Sequence, residues 1–431
     1  MLDVVATDTK EYEMKRLMVA LVATLAVCSC GGEKQNETPE KEPTIVGADR
    51  LLTDQFDLVK GKRVALVVNH TARLADGTHL IDALVAAEDV EVVALFGPEH
   101  GIRGDAAAGE DIVSGKDEKT GLPIHSLYGE SNKPSAEQLE NVDAIVFDIQ
   151  DVGARFYTYI STLYYVLQSA SENDVAVIVP DRPNPIGGKA EGPIRQEGFA
   201  SFVGIAPIPV RHGMTVGELA KYFVGEGLLN RENDPALEVV PVLNWKRDEY
   251  YDETGLEWIA PSPNMPNLET AIVYPGVCFF EGTNLSEGRG TREPFLQFGA
   301  PFAESVELIE KIGSYGVEGV TMEAVSYTPK SLPEMSPNPK YKGETVNGVK
   351  IAVIDREKFD PVYFGVAATA AFRELYPDKF EFKDRWFDLL TGSSRTREMI
   401  EAGKTPREIA DSWSAELRAF EKTREKYLLY Q

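Results

Sequence analysis

A chain of 431 residues, 43% hydrophobic and 26% charged, carries enough apolar material for two or three packed domains. Its formal net charge of −25 excludes a nucleic-acid partner, because proteins that grip phosphate backbones concentrate Lys and Arg to displace counterions. Acidity of this size serves solubility.

The segment "MKRLMVALVATLAVCSCGGEK" opens with Met14, Lys15 and Arg16 and continues through an apolar stretch from Leu17 to Val27. That stretch is shorter than the roughly 20 residues a transmembrane helix needs, so residues 1–30 read as a secretory signal whose functional start is Met14. Ser29 directly before Cys30 resembles a lipobox, which makes Cys30 the expected lipidated residue and Cys28 the alternative. Residues 31–44, Pro- and Glu-rich without large apolar side chains, read as a flexible tether. After cleavage Cys278 is left without a partner for an internal disulfide.

From Ile45 onward, short β-rich runs alternate with helical patterns, the mark of βαβ units and a parallel sheet. The expected strands are Arg63–Val68, Glu91–Phe96, Asp143–Ile149 and Val175–Pro180, with a helix over about Tyr157–Ser171. Their near-continuous apolarity predicts a sheet covered on both faces. Thr215 with Glu218 three residues on is a capping box opening a helix. "AIVYPGVCFF", Ala271–Phe280, reads as strand-like within a segment dense in Pro, Gly and Asn. A second αβ pattern starts near Gln297 and ends in a helix opened by Thr405, Pro406 and Glu408, with Ile409, Trp413, Leu417 and Phe420 on one face. The expected organisation is therefore α/β: a Rossmann-like, mostly parallel sheet domain over 45–296 and a smaller αβ domain over 297–431.

In open α/β sheets, ligands bind beyond the carboxyl ends of the strands. Those ends carry Asn69-His70, Glu99-His100, Asp148 with Asp151, and Asp181-Arg182 with Asn184. In "LFGPEHGIRG", Gly97 and Pro98 stop the strand, and a tight loop presents Glu99, His100 and Arg103. A carboxyl leaving a buried strand suits a proton donor, and an arginine suits bidentate binding of a carboxylate. "DIQDVGARFYTY" adds Arg155, "VRHGMTVGE" adds His212 and "PSPNMP" adds Asn264. "FFEGTNLSEGRGT" supplies Glu281, Asn284, Glu287 and Arg289 from a Gly-spaced loop, a composition that fits a clamp on a polyhydroxylated, anionic ligand. Dinucleotide and P-loop phosphate cradles do not occur, nor do the G-x-S-x-G and H-E-x-x-H motifs.

"FGPEHGIRG", "FDIQDVGARFYTY", "VPDRPNPIGG", "RHGMTVGELA", "PSPNMP" and "YPGVCFFEGTNLSEGRGT", in this order, resemble the bacterial exo-β-N-acetylmuramidases, a family of peptidoglycan recycling. The resemblance runs from about Ile45 to the end of the chain. It implies an active-site cleft between a Rossmann-like domain and a smaller αβ domain. It also implies release of terminal N-acetylmuramic acid from non-reducing ends without a cofactor or metal, and makes Glu99 the catalytic glutamate. Glycoside hydrolysis needs a second carboxyl group, for which Glu281, Glu287, Asp148 and Asp151 stand open. The lactyl carboxylate of muramic acid calls for a cation, with Arg103, Arg182 and Arg289 as candidates. Together with the lipobox, the resemblance implies a lipoprotein on the periplasmic side of a Gram-negative envelope. Two other readings stay open: a metal-dependent hydrolase using Asp148, Asp151, His70 and His100, and a glycan-binding lipoprotein without turnover.

Overall fold

The computed structural model describes residues 41–99, 101–103, 115–129 and 131–431; Cys30 and His100 lie outside them. Strands β1 (Arg63–Val68), β2 (Glu91–Gly97), β3 (Gly115–Lys116), β4 (Pro123–Ser126), β5 (Ala144–Asp148), β6 (Ala176–Pro180) and β7 (Leu237–Val240) form one sheet in the order β3-β4-β2-β1-β5-β6-β7. Every pairing in it is parallel except β3 with β4. Val64 to Val68 of β1 are buried, as is every residue of β5, because helices cover both faces, and that is why these strands read as unbroken apolar runs. Ile160, Leu163 and Leu167 of the helix Tyr159–Asn173 cover one face. Leu51, Leu80 and Leu84 cover the other.

Chain order reverses at β1, which has β2 on one side and β5 on the other. The crevice beyond the carboxyl end of β1 is thus a topological switch point, where open α/β sheets bind ligands. It places the residues after β1, β2 and β5 around one opening.

The second half builds an antiparallel sheet, β8 (Gln297–Ala300), β10 (Val346–Val353) and β9 (Val320–Tyr327), in the order β8-β10-β9. Phe298, Val349 and Ile351 pack with Leu308, Ile312, Phe364 and Phe372 of the helices Ser305–Ser314 and Pro361–Leu375.

"AIVYPGVCFF" is not a strand. It is the end of the helix Leu268–Val277 followed by a tight turn, Cys278–Gly282. Asn267 caps the helix by accepting from the Thr270 N–H at 2.9 Å. Every residue from Thr270 to Val277 is buried, so no polar stripe reveals the helical period, and a short apolar run of this kind reads equally as strand. Gly276 explains the packing: an added Cβ would collide with the Pro361 carbonyl, so this helix and Pro361–Leu375 cross with their backbones touching. The capping boxes at Thr215–Glu218 and Thr405–Glu408 form as expected.

Candidate active site

Most of the charged groups at the carboxyl edge close onto the protein itself. The Asp148 carboxylate accepts from Arg182 Nε at 2.5 Å and Nη2 at 2.8 Å, with both side chains buried. Asp181 accepts from the Gly217 N–H at 2.8 Å and from the hydroxyls of Thr215 and Tyr430 at 2.6 Å each. Burial pushes its carboxyl up to about 6. Asn184 donates to the Met214 carbonyl and accepts from the Ile186 N–H, and Asn69 accepts from the N–H and hydroxyl of Thr71.

Arg155 is a correction to the expected ligand set. It is fully buried and donates to the carbonyls of Pro193, Ile208 and Leu390 at 2.8, 2.8 and 2.7 Å, and burial pushes its guanidinium down to about 9. Arg103 is likewise committed, held by both oxygens of Asp117 at 3.0 Å and by Asp82 at 3.3 Å. Asn284 pins its loop to the Lys379 carbonyl and the Glu381 N–H, and Asn264 donates to the Met335 carbonyl. Arg155, Asn264 and Asn284 share a physical reason: packed loops draw polar backbone groups away from water, and these side chains satisfy them, whereas Arg103 pairs with carboxylates.

His70 Nε2 lies 2.8 Å from the Ala260 carbonyl. His212 is fully buried; its Nδ1 accepts from the Met214 N–H, which leaves the proton on Nε2, 3.4 Å from Asp151 Oδ2. Among the described residues no three His, Cys, Asp or Glu side chains converge as metal ligands. Asp148, one of the four residues of the metal reading, is spent on Arg182.

Two of the expected carboxylates line one cavity. A cavity of about 340 Å³ is lined by Glu99, Tyr157, Thr158, Tyr159, Ser262 and Tyr274, and across from the sheet half by Glu281, Arg289 and Trp386. Glu99 sits on the turn after β2, closed by the Gly101 N–H bonding the Pro98 carbonyl at 3.0 Å, and its Oε2 accepts from the Thr158 hydroxyl at 3.3 Å. Behind it, the Tyr157 ring meets Tyr159 and Tyr274 edge-on, with centroids 5.1 and 5.9 Å apart. Burial first, then neighbouring groups including Glu99, hold both Tyr157 and Tyr159 well above the usual phenol range. Both phenols stay protonated; Tyr159 spends its proton on the Pro261 carbonyl at 2.7 Å, which leaves Tyr157 as the donor. Asp151, buried, adds its charge to the same pair from behind.

Glu281 stands on the turn Cys278–Gly282, and its Oε1 accepts from Arg289 Nε at 3.2 Å and Nη2 at 2.8 Å. Glu287 is buried beside them, 3.8 Å from Arg289 Nε and 3.0 Å from Lys340 Nζ. Burial works against the charge of Arg289, but Glu281 and then Glu287 outweigh it and hold the guanidinium above its ordinary value. The Phe295 ring lies under the guanidinium at 5.0 Å.

A second cavity, about 950 Å³, is lined by Arg211, Arg247 and Arg424 near Tyr430. Those arginines are paired with Glu191, with Glu218, and with the carbonyls of His212, Gly213 and Gly188, so the cavity is a seam where the chain's last residues dock. Sequence reasoning missed Tyr157, Tyr159, Tyr274 and Ser262, although they lie inside motifs already singled out, because buried aromatics read as core. Trp386 had no motif to mark it.

A half-buried glutamate and an ion-paired glutamate in one aromatic cleft, at the switch point of a parallel sheet, define a glycosidase-type site. Comparison with known proteins gives the family. The model of the exo-β-N-acetylmuramidase NamZ N-terminal region matches residues 64–269, and that of its C-terminal region matches 272–430. The peptidoglycan β-N-acetylmuramidase NamZ of Bacillus subtilis is 44% identical over 412 residues, 95% of this chain and 97% of that protein. Crystal structures of two DUF1343 family proteins of Bacteroides fragilis superpose with TM-scores of 0.83 and 0.74. At 35% and 33% identity they cover 91% and 90% of this chain, which spans 100% and 99% of theirs. The chain belongs to the exo-β-N-acetylmuramidase family of glycosidases.

Proposed function

We propose that this protein hydrolyses the glycosidic bond of a terminal N-acetylmuramic acid at the non-reducing end of peptidoglycan fragments, with Glu99 as proton donor and Glu281 as the second carboxylate. The observation that carries the assignment is that Glu99, from the sheet half, and Glu281, from the second half, line one cavity. Glu99 gives its proton to the glycosidic oxygen as the bond to C1 breaks, and Glu281 supplies the carboxylate that the oxocarbenium-like transition state requires. Neutral Tyr157 serves as a hydrogen-bond donor to the sugar, beside Tyr159, whose own proton goes to the Pro261 carbonyl. Arg289 is the cation for the lactyl carboxylate: of the three arginine candidates it is the one that lines this cavity. Lys340 beside Glu287, and Lys383, which feels both Glu281 and Glu287, add positive charge behind it.

The same proposal places the enzyme on the periplasmic side of a Gram-negative envelope, anchored by lipid on Cys30, on the support of the apolar segment and lipobox-like residues before it. The test of the chemistry is hydrolysis of a chromogenic N-acetyl-β-muramide, and of the matching glucosaminide without the lactyl group, by wild type and Glu99→Gln. The variant is expected to lose about 10²–10⁴-fold in kcat. Wild-type turnover by the variant refutes the acid assignment, and a wild type that prefers the glucosaminide refutes the substrate.

A further inference from the structure

The cavity is graded from closed to open. Tyr159 and Tyr274 are 2% and 7% exposed, whereas Trp386 is 38% exposed on the same lining. On the lining of a pocket already rich in aromatic rings, a partly exposed indole offers a flat face to a ligand ring. Its helix, Asp384–Thr391, is docked on the turn that carries Glu281. The Lys383 N–H donates to the Gly282 carbonyl at 2.8 Å, Thr283 bridges Phe382, and a Cβ on Gly282 would stand 2.5 Å from Phe387 Cα. The indole and the Glu281 carboxylate are therefore positioned by one rigid piece, with Phe202 and Tyr128 on the same lining.

An enzyme that takes one sugar from a chain end needs a closed pocket for that sugar and an open wall for the ring that leaves. The buried tyrosines form the closed part. Resting on the function proposed above, we infer that Trp386 is the stacking platform for the leaving sugar: the uncharged N-acetylhexosamine ring on the far side of the scissile bond lies with its axial C–H groups on the indole face. Trp386 thereby sets preference for a pyranose over a small leaving group, and takes no part in bond breaking.

The experiment compares kcat/KM for the disaccharide N-acetylmuramyl-β-1,4-N-acetylglucosamine with that for trifluoroethyl N-acetyl-β-muramide, whose leaving group is too small to stack. Trp386→Ala is expected to lose about 10-fold more on the disaccharide than on the trifluoroethyl glycoside, mostly in KM, and Trp386→Phe to retain most of the preference. Equal losses on the two substrates, or loss on neither, overturn the platform while leaving the activity standing. A wild type inert on both overturns the activity and the platform with it.

Discussion

Asp148 and Arg182 test whether the charged groups at the sheet edge bind substrate or hold the fold. Asp148→Asn leaves the Arg182 guanidinium buried, with a neutral amide in place of the carboxylate that now accepts two of its hydrogen bonds. Breaking a buried ion pair from one side costs about 3–5 kcal/mol, because the remaining charge is uncompensated. Arg182 keeps its bond to the Arg73 carbonyl at 3.0 Å, and the nearby Asp49 carboxylate feels its charge, so the loss falls at the lower end, about 3 kcal/mol. In a fold of this length that is a fall in Tm of roughly 4 °C. Thermal unfolding followed by circular dichroism measures it, and KM for the chromogenic muramide, taken well below the transition, should stay within about twofold of wild type. Replacing both partners, Asp148→Leu with Arg182→Met, should recover more than half of the loss, since an apolar pair leaves no charge stranded. An unchanged Tm with a tenfold rise in KM would show that the pair opens to bind substrate, and the structural reading would be wrong.

Asp360 gives a prediction in pH. Burial first, then the nearby Glu191, pushes its carboxyl up to about 7 from 3.8, so the fold takes up a proton as it forms between those values. The stability this group contributes is complete below about pH 4 and is lost as pH rises through about 7; roughly three units correspond to at most about 4 kcal/mol. Asp360→Asn keeps an oxygen to cap the helix through the Tyr363 N–H and removes the charge, so its urea midpoint should match wild type near pH 4 and exceed it by pH 8. Parallel midpoints across that range would refute the assignment. For the anchor, Cys30→Ser should move the protein from the membrane to the soluble fraction of its host, and a variant that still sediments with membranes would count against lipidation at that residue.

The parallel sheet was legible because β1, β2, β5 and β6 are buried on both faces and therefore apolar at nearly every position. Continuous burial also hid the helix Leu268–Val277, where it removed the periodicity that separates helix from strand. The site was legible in part for a related reason. An arginine beside an aspartate looks the same in sequence whether it holds a ligand or, like Arg182, a neighbouring strand end. Arg155 has the residue type of a carboxylate clamp, yet three backbone carbonyls consume it. Glu99 and Glu281, which line one cavity, stood out because each follows an apolar segment directly and the chain turns there. Trp386 lies about a hundred residues beyond Glu281, and only the docking of its helix on Gly282 brings it to the cleft.

The proposed catalytic geometry depends on a contact that carries no charge. Glu99 is fixed to the parallel sheet through β2, whereas Glu281 follows the helix Leu268–Val277, whose backbone meets that of Pro361–Leu375 at Gly276 and Gly365. Any Cβ at Gly276 would have to push those helices apart and carry the Cys278–Gly282 turn, and Glu281 with it, away from Glu99. Proton donation and attack at C1 tolerate little misplacement, since about 1 Å in such a site costs on the order of 10²-fold in rate. Ion pairs at the sheet edge play the complementary part on the other side. Arg103, held by both oxygens of Asp117 and by Asp82, fastens the turn after β2 from which Glu99 projects. A charged group that looks like a ligand for the lactyl carboxylate, Arg103, thus serves instead to position the glutamate four residues before it.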